Sequence, residues 1–169
     1  KLVRQGQVER AWHLVAGLGL QRDGEIAIEN LGYFISLLEV SIARGIDLDT
    51  VASRIDGAIV QAKRLNSRLF TADLVALSAW AHLQLGRREE AERALARALD
   101  LAVETGYVRF ILDIPALAPL LAVMEHPAAA GMWVATVPEE VREQAAQLTG
   151  QERQVLAQLL HTARYQDIA

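Results

Sequence analysis

The sequence has no cysteine, few aromatic residues and no long apolar run. Without cysteine, a disulfide scaffold, a thiolate metal site and a cysteine nucleophile are all excluded, and the redox compartment is left open. Aromatics make up 5% of the chain while alanine and leucine dominate, a usage that favours helix over strand. No stretch of about 18 uninterrupted apolar residues exists, so no membrane span is expected. A basic excess is missing too. The chain carries 17 Lys and Arg against 21 Asp and Glu, a net charge of -4, which does not suit a nucleic-acid surface. His13, His82, His126 and His161 form no H-E-x-x-H pattern, and no G-x-x-x-x-G-K-[ST] loop is present. No metal site, no nucleotide site and no catalysis are therefore expected of this stretch. No secretory leader is recognisable, and the chain opens on Lys1 inside an apparent repeat, as expected of a piece of a longer protein.

What is present is apolar and periodic. Hydrophobic residues make up 52% of the 169, enough to build a core and to exclude disorder. Ala91, Ala94, Leu95, Ala98, Leu99 and Ala102 fall at i, i+3, i+4, i+7, i+8 and i+11, one stripe of a helix. The alanines let a neighbouring helix approach closely. Glu89, Glu90, Glu92, Arg93 and Arg97 lie mostly off the stripe, as a solvated face does. Gly86 offers the positive φ that a tight turn between two helices needs. Gly6, Gly45 and Gly86 succeed one another at intervals of 39 and 41 residues, with Ala11 following Gly6 as Ala91 follows Gly86. Such spacing marks an array of helix pairs.

Gly86, Ala91, Leu95 and Ala98 match the core pattern of tetratricopeptide repeats. The period here is longer than the roughly 34 residues usual for them. The chain thus resembles a tetratricopeptide-like array with elongated helices, and the resemblance implies an all-α, right-handed superhelical solenoid over residues 1–106. First helices line the inner groove of such arrays. Carried over from Gly86, that register places Asp73, Ala76, Trp80 and Gln84 on the groove; carried over from Gly45, it places Ile35 and Glu39 there. Trp80 would supply rigid contact area for an effector or peptide, or pack on the next pair.

Along the chain, Val8, Ala11, Trp12 and Val15 form the stripe of a second helix. Gly17, Gly19 and Asp23-Gly24 read as a connector. Glu25 to Arg44 is a long helical pattern with Ile28, Leu31, Ile35, Leu38 and Ile42 buried and Tyr33, Phe34, Leu37 and Val40 widening the face. Asp47 is the expected N-cap of a helix over 48–65, its carboxylate accepting a backbone N–H. Ser67 or Thr71 starts the next helix. After Gly106, the run Tyr107 to Ile111 reads as a strand, as an extended segment or as an early helical segment. Pro115 and Pro119 forbid one straight helix through both, Leu117 to Val123 is expected to be helical, and His126-Pro127 breaks it. A short helix over 128–135 follows, and Pro138 with Glu139, Glu140 and Glu143 starts another. Residues 107–147 therefore read as a helical cap or linker.

Residues 148–169 begin with a T-x-x-E capping box, Thr149 and Glu152, ahead of a stripe of Val155, Leu156, Leu159 and Leu160. Leu148-Thr149, Glu152-Arg153, Val155-Leu156, Leu159 and Ile168-Ala169 resemble the opening of a LuxR-type helix-turn-helix domain, with Asp167 in place of the usual glutamate and Thr162 in place of the usual glycine. By that resemblance, Thr149, Glu152, Val155, Leu156, Leu159 and Ile168 are scaffold positions, and the recognition helix lies beyond Ala169. Tyr107-Val108-Arg109 and Phe110 to Asp113 also resemble a segment between array and DNA-binding domain in large ATP-dependent LuxR-type transcription regulators, the class of the maltose-regulon activator. Together the resemblances imply a non-catalytic, effector-sensing and signal-transmitting segment of a cytoplasmic, bacterial-type regulator. A small-molecule effector or regulatory protein would be its partner. ATP would bind only in an upstream module, DNA only through the complete parent, and oligomerisation would belong to that parent. The alternative is a generic protein- or peptide-binding helical repeat, in which the terminal motif is coincidental.

Overall fold

The computed structural model describes residues 2–16 and 30–166, and every regular element among them is helical. The elements are α1 Val8–Ala16, α2 Leu31–Arg44, α3 Leu48–Arg64, α4 Arg68–Gln84, α5 Arg88–Thr105, α6 Arg109–Leu112, α7 Ala118–Val123, α8 Ala129–Thr136, α9 Arg142–Ala146 and α10 Gly150–Gln166. The chain divides at Phe110 and Ile111 into two compact units. The connector at Gly17, Gly19 and Asp23-Gly24, together with Glu25 and Ile28, lies outside the described residues, so α2 is described from Leu31.

In the first unit, the turns repeat one local geometry. Gly6, Gly45 and Gly86 have φ of 72°, 65° and 71°, the left-handed conformation that a side chain would strain. At each, the glycine N–H donates to the carbonyl three residues back, and the next N–H donates to the carbonyl five residues before it. These are Gly6 to Val3 with Gln7 to Leu2, Gly45 to Ile42 with Ile46 to Ser41, and Gly86 to Leu83 with Arg87 to His82. The first of these follows a 3-10 turn, Val3–Gln5. This pattern satisfies carbonyls that a helix end leaves unpaired. Asn66, φ 52°, makes the same two bonds between α3 and α4. Asparagine tolerates the left-handed region better than other side-chained residues.

The helices so folded back stack in sequence: α1 on α2, α3 on α4, α4 on α5, with α2 also against α4. α4 is enclosed as a result, and Leu74 to Ala81 is buried without interruption. That enclosure explains why Trp80 is a core residue. The α5 stripe is buried as its spacing requires, with Ala91, Leu95, Ala98 and Leu99 at 0% exposure. Each such leucine contributes about 1.5–3 kcal/mol of burial, and the alanines bring the α5 backbone close to α4. On the outward side, Arg88 pairs with Glu92 at 2.8 Å and Arg93 with Glu90 at 3.8 Å, as a solvated helix face does.

Local details depart from the sequence expectations. Asp47 precedes α3, but its backbone is left-handed (φ 47°) and its carboxylate caps nothing; the Asp47 carbonyl accepts from Val51 N–H instead. Ser67 occupies the cap position of α4 without a side-chain bond, and the buried Thr71 hydroxyl donates back to the Ser67 carbonyl at 2.8 Å. Tyr33 is mostly exposed, because α2 buries Leu31, Phe34, Leu37, Leu38, Val40 and Ile42 and turns Tyr33 outward.

The second unit is built round Trp133, which is fully enclosed, with Leu117, Leu121 and Val137 among its buried residues. α8 and α10 pack on α7, and α9 packs on α8. Pro115 opens a 3-10 turn and Pro119 sits in the first turn of α7, positions where the missing N–H removes no helical bond. Within Tyr107 to Ile111, Tyr107 and Val108 are irregular and the helical reading applies from Arg109, where α6 begins.

Candidate functional site

The inner-groove register falls on two helices in mutual contact, α2 and α4. Ile35, Glu39 and Asp73 are half-buried and Gln84 is exposed. Ala76 has no accessible surface and Trp80 is 8% exposed, so in this arrangement both face protein. The Trp80 indole Nε1–H is buried without an acceptor, as is the Nδ1 of His82 without a partner. An unpaired buried donor of this kind costs about 1–3 kcal/mol. Trp80 thus combines a large apolar body with an unmet polar demand.

At the start of α10 the capping box is formed. The Thr149 N–H donates to Glu152 Oε2 at 2.8 Å, the Thr149 hydroxyl donates to the same oxygen at 2.7 Å, and Glu152 N–H approaches Thr149 Oγ1 at 3.4 Å. The hydroxyl bond, then the backbone bond, hold the Glu152 carboxyl below the ordinary glutamate value. Glu152 is therefore a fixed negative charge in the first turn, where the helix dipole favours it.

The stripe that follows is not core. Val155 is 57% and Leu159 62% exposed, and Leu156 is half-buried. α10 packs on α7 by another face, with Ala157 buried, and its Arg153 guanidinium lies 6.0 Å from the ring centroid of Trp133 in α8. The side chain of Leu160 and all of Ile168 lie outside the described residues. Val155, Leu156 and Leu159 instead form one wall of an open groove of about 670 Å³, whose other wall includes Pro138, Ala145 and Leu148. Only Gln144, Gln151 and Glu152 bring polar groups to it. Periodicity marked these apolar positions; it does not tell which face of a short helix a neighbour will cover, so the groove was not legible.

Among the described residues, no group of three or more His, Asp or Glu is placed to hold a metal ion, and no described helix is long and apolar enough to cross a membrane. Comparison of the chain with family models, curated proteins and solved structures gives no match.

Proposed function

We propose that the first unit is a tetratricopeptide-like scaffold that binds a protein or peptide segment, without catalysis, along the face shared by α2 and α4. The observation that carries this reading is the recurrence of one turn geometry at Gly6, Gly45 and Gly86 between helices that pack in sequence, which supports a repeated helix-pair arrangement. Stacked pairs of this kind form extended surfaces suited to polypeptide ligands. Ile35, Glu39, Asp73 and Gln84 supply the reachable side chains of the face. The test is peptide display on the intact chain, followed by titration of the selected sequences. Glu39→Lys and Gln84→Glu should weaken binding at least about tenfold, a loss near 1.4 kcal/mol, while Arg97→Glu on the outer face of α5 should leave it unchanged. Equal binding to all four proteins would reject the face.

A second reading is an effector-sensing, signal-transmitting segment of a cytoplasmic LuxR-type transcription regulator. The formed Thr149–Glu152 box favours it, because the resemblance places a helix start there. In this reading ATP and DNA are bound by other parts of the parent protein. A metabolite screen by thermal shift and calorimetry, with Trp80→Phe as the diagnostic variant, tests the sensing role. A specific DNA complex formed by the full parent tests the regulatory one.

A further inference from the structure

The groove beside α10 lies apart from the proposed array face and has its own chemistry. Its volume of about 670 Å³ falls in the range of ligand pockets, but a small-molecule site also needs convergent polar groups to orient its ligand. Here polar atoms come from Gln144, Gln151 and Glu152, and the remainder of the lining is apolar. Along α10 the groove runs from Gln151 to Leu159, about 12 Å at helical rise. Val155 and Leu159 stand one turn apart and mostly exposed along it. A track of that length and character matches two to three turns of an apolar helix stripe.

Its electrostatics select among helices. Glu152 lines the groove, and the exposed Glu139, Glu140 and Glu143 lie within two residues of its lining residues Pro138 and Gln144. Two arginines in residues 138–159 reduce the local charge to -2: Arg142 Nε donates to the Val137 carbonyl at 3.1 Å, and the Arg153 guanidinium lies 6.0 Å from the Trp133 ring centroid. A second copy docked by its own α10 would bring the same carboxylates together, because a two-fold interface apposes like patches. A cationic partner neutralises them. We propose that this groove receives an amphipathic helix of a partner protein, its apolar stripe against Leu148, Val155, Leu156 and Leu159 and its flanking Lys or Arg side chains toward Glu152 and the carboxylates that adjoin the lining in sequence.

The test uses the full chain and two fluorescein-labelled synthetic helices with the same leucine stripe, one with lysine and one with glutamate on the flanks, read by anisotropy. The lysine helix should bind saturably, more weakly at higher salt, and at least about tenfold more tightly than the glutamate helix. Leu159→Glu adds a negative charge to the rim. If attraction were only electrostatic it would strengthen binding; if the groove seats the helix, binding should fall at least about tenfold. Val155→Ser, also at an exposed position and neutral, should weaken binding in the same direction. Joint Glu139→Gln, Glu140→Gln and Glu143→Gln replacement should weaken it severalfold and flatten the salt dependence. Absence of binding, equal binding of the two helices, or undiminished binding to Leu159→Glu would overturn the proposal. So would self-association of the unliganded chain that Leu159→Glu abolishes, since a second copy would then be the occupant.

Discussion

The Arg87 guanidinium, one residue past the turn of the third helix pair, ion-pairs with Asp49, 38 positions earlier in the first turn of α3. One pair further back, Arg44 beside the Gly45 turn meets Glu9 in the first turn of α1 at 3.0 Å. Each arginine belongs to one turn and each carboxylate to the helix start of the preceding pair. The first unit is thus clasped at its turn edge by a recurring, not strictly identical, ionic link.

The two clasps should differ in worth. Arg87 and Asp49 are 45% and 71% exposed, so a double-mutant cycle to alanine should give a coupling of about 0.2–1 kcal/mol that shrinks with salt. Arg44 is 23% exposed and also lies 4.6 Å from the Trp12 ring centroid. Arg44→Ala should cost about 1–2 kcal/mol, with Trp12→Leu removing part of that sensitivity, as urea titration will show.

Gly86 separates backbone strain from crowding. Nothing lies within 4 Å of a Cβ built there, yet φ is +71°. Gly86→Ala should therefore destabilise by about 1–2 kcal/mol through strain alone. Gly86→Asn should cost less, since Asn66 already occupies the equivalent conformation. Thermal unfolding of the pair measures the difference.

Trp80 should respond to which part of it is removed. Trp80→Ala empties a core site and should cost about 3–5 kcal/mol. Trp80→Phe keeps most of the apolar body and deletes the unpaired N–H, so it should stay within about 1.5 kcal/mol of the parent. Chemical denaturation distinguishes the two.

The Thr149–Glu152 box should give α10 a pH dependence. Glu152 titrates below its ordinary 4.5 in the folded chain because the Thr149 hydroxyl and N–H bond its ionised form. Its contribution is present above the unfolded-state value and is lost as pH falls through the lower folded value. Helical circular dichroism should drop over that acid range, and Glu152→Gln or Thr149→Ala should remove that component of the drop.

Much of the first unit was legible because its helices obey local rules. Gly86 and the alanine stripe of α5 were readable, since one turn residue and one period dictate them. Trp80 was not: its burial comes from α2, α3 and α5 enclosing α4, which no spacing within α4 records. Asp47 had the right residue type for a cap and the wrong backbone for it. For the candidate site, register with Gly45 and Gly86 assigns Glu39 to α2 and Gln84 to α4. The groove at Val155 and Leu159 could not be placed, because an apolar stripe looks the same in sequence whether or not a neighbour covers it.

The enclosure of α4 also sets a hierarchy of opening. A helix walled in by three others cannot expose its amides unless the unit around it comes apart. Its amide hydrogens should report the global stability of the first unit, whereas the outer ends of the surrounding helices fray independently. A ligand held at the α2–α4 face would then be felt far from where it touches, as slowed exchange in the middle of the stack.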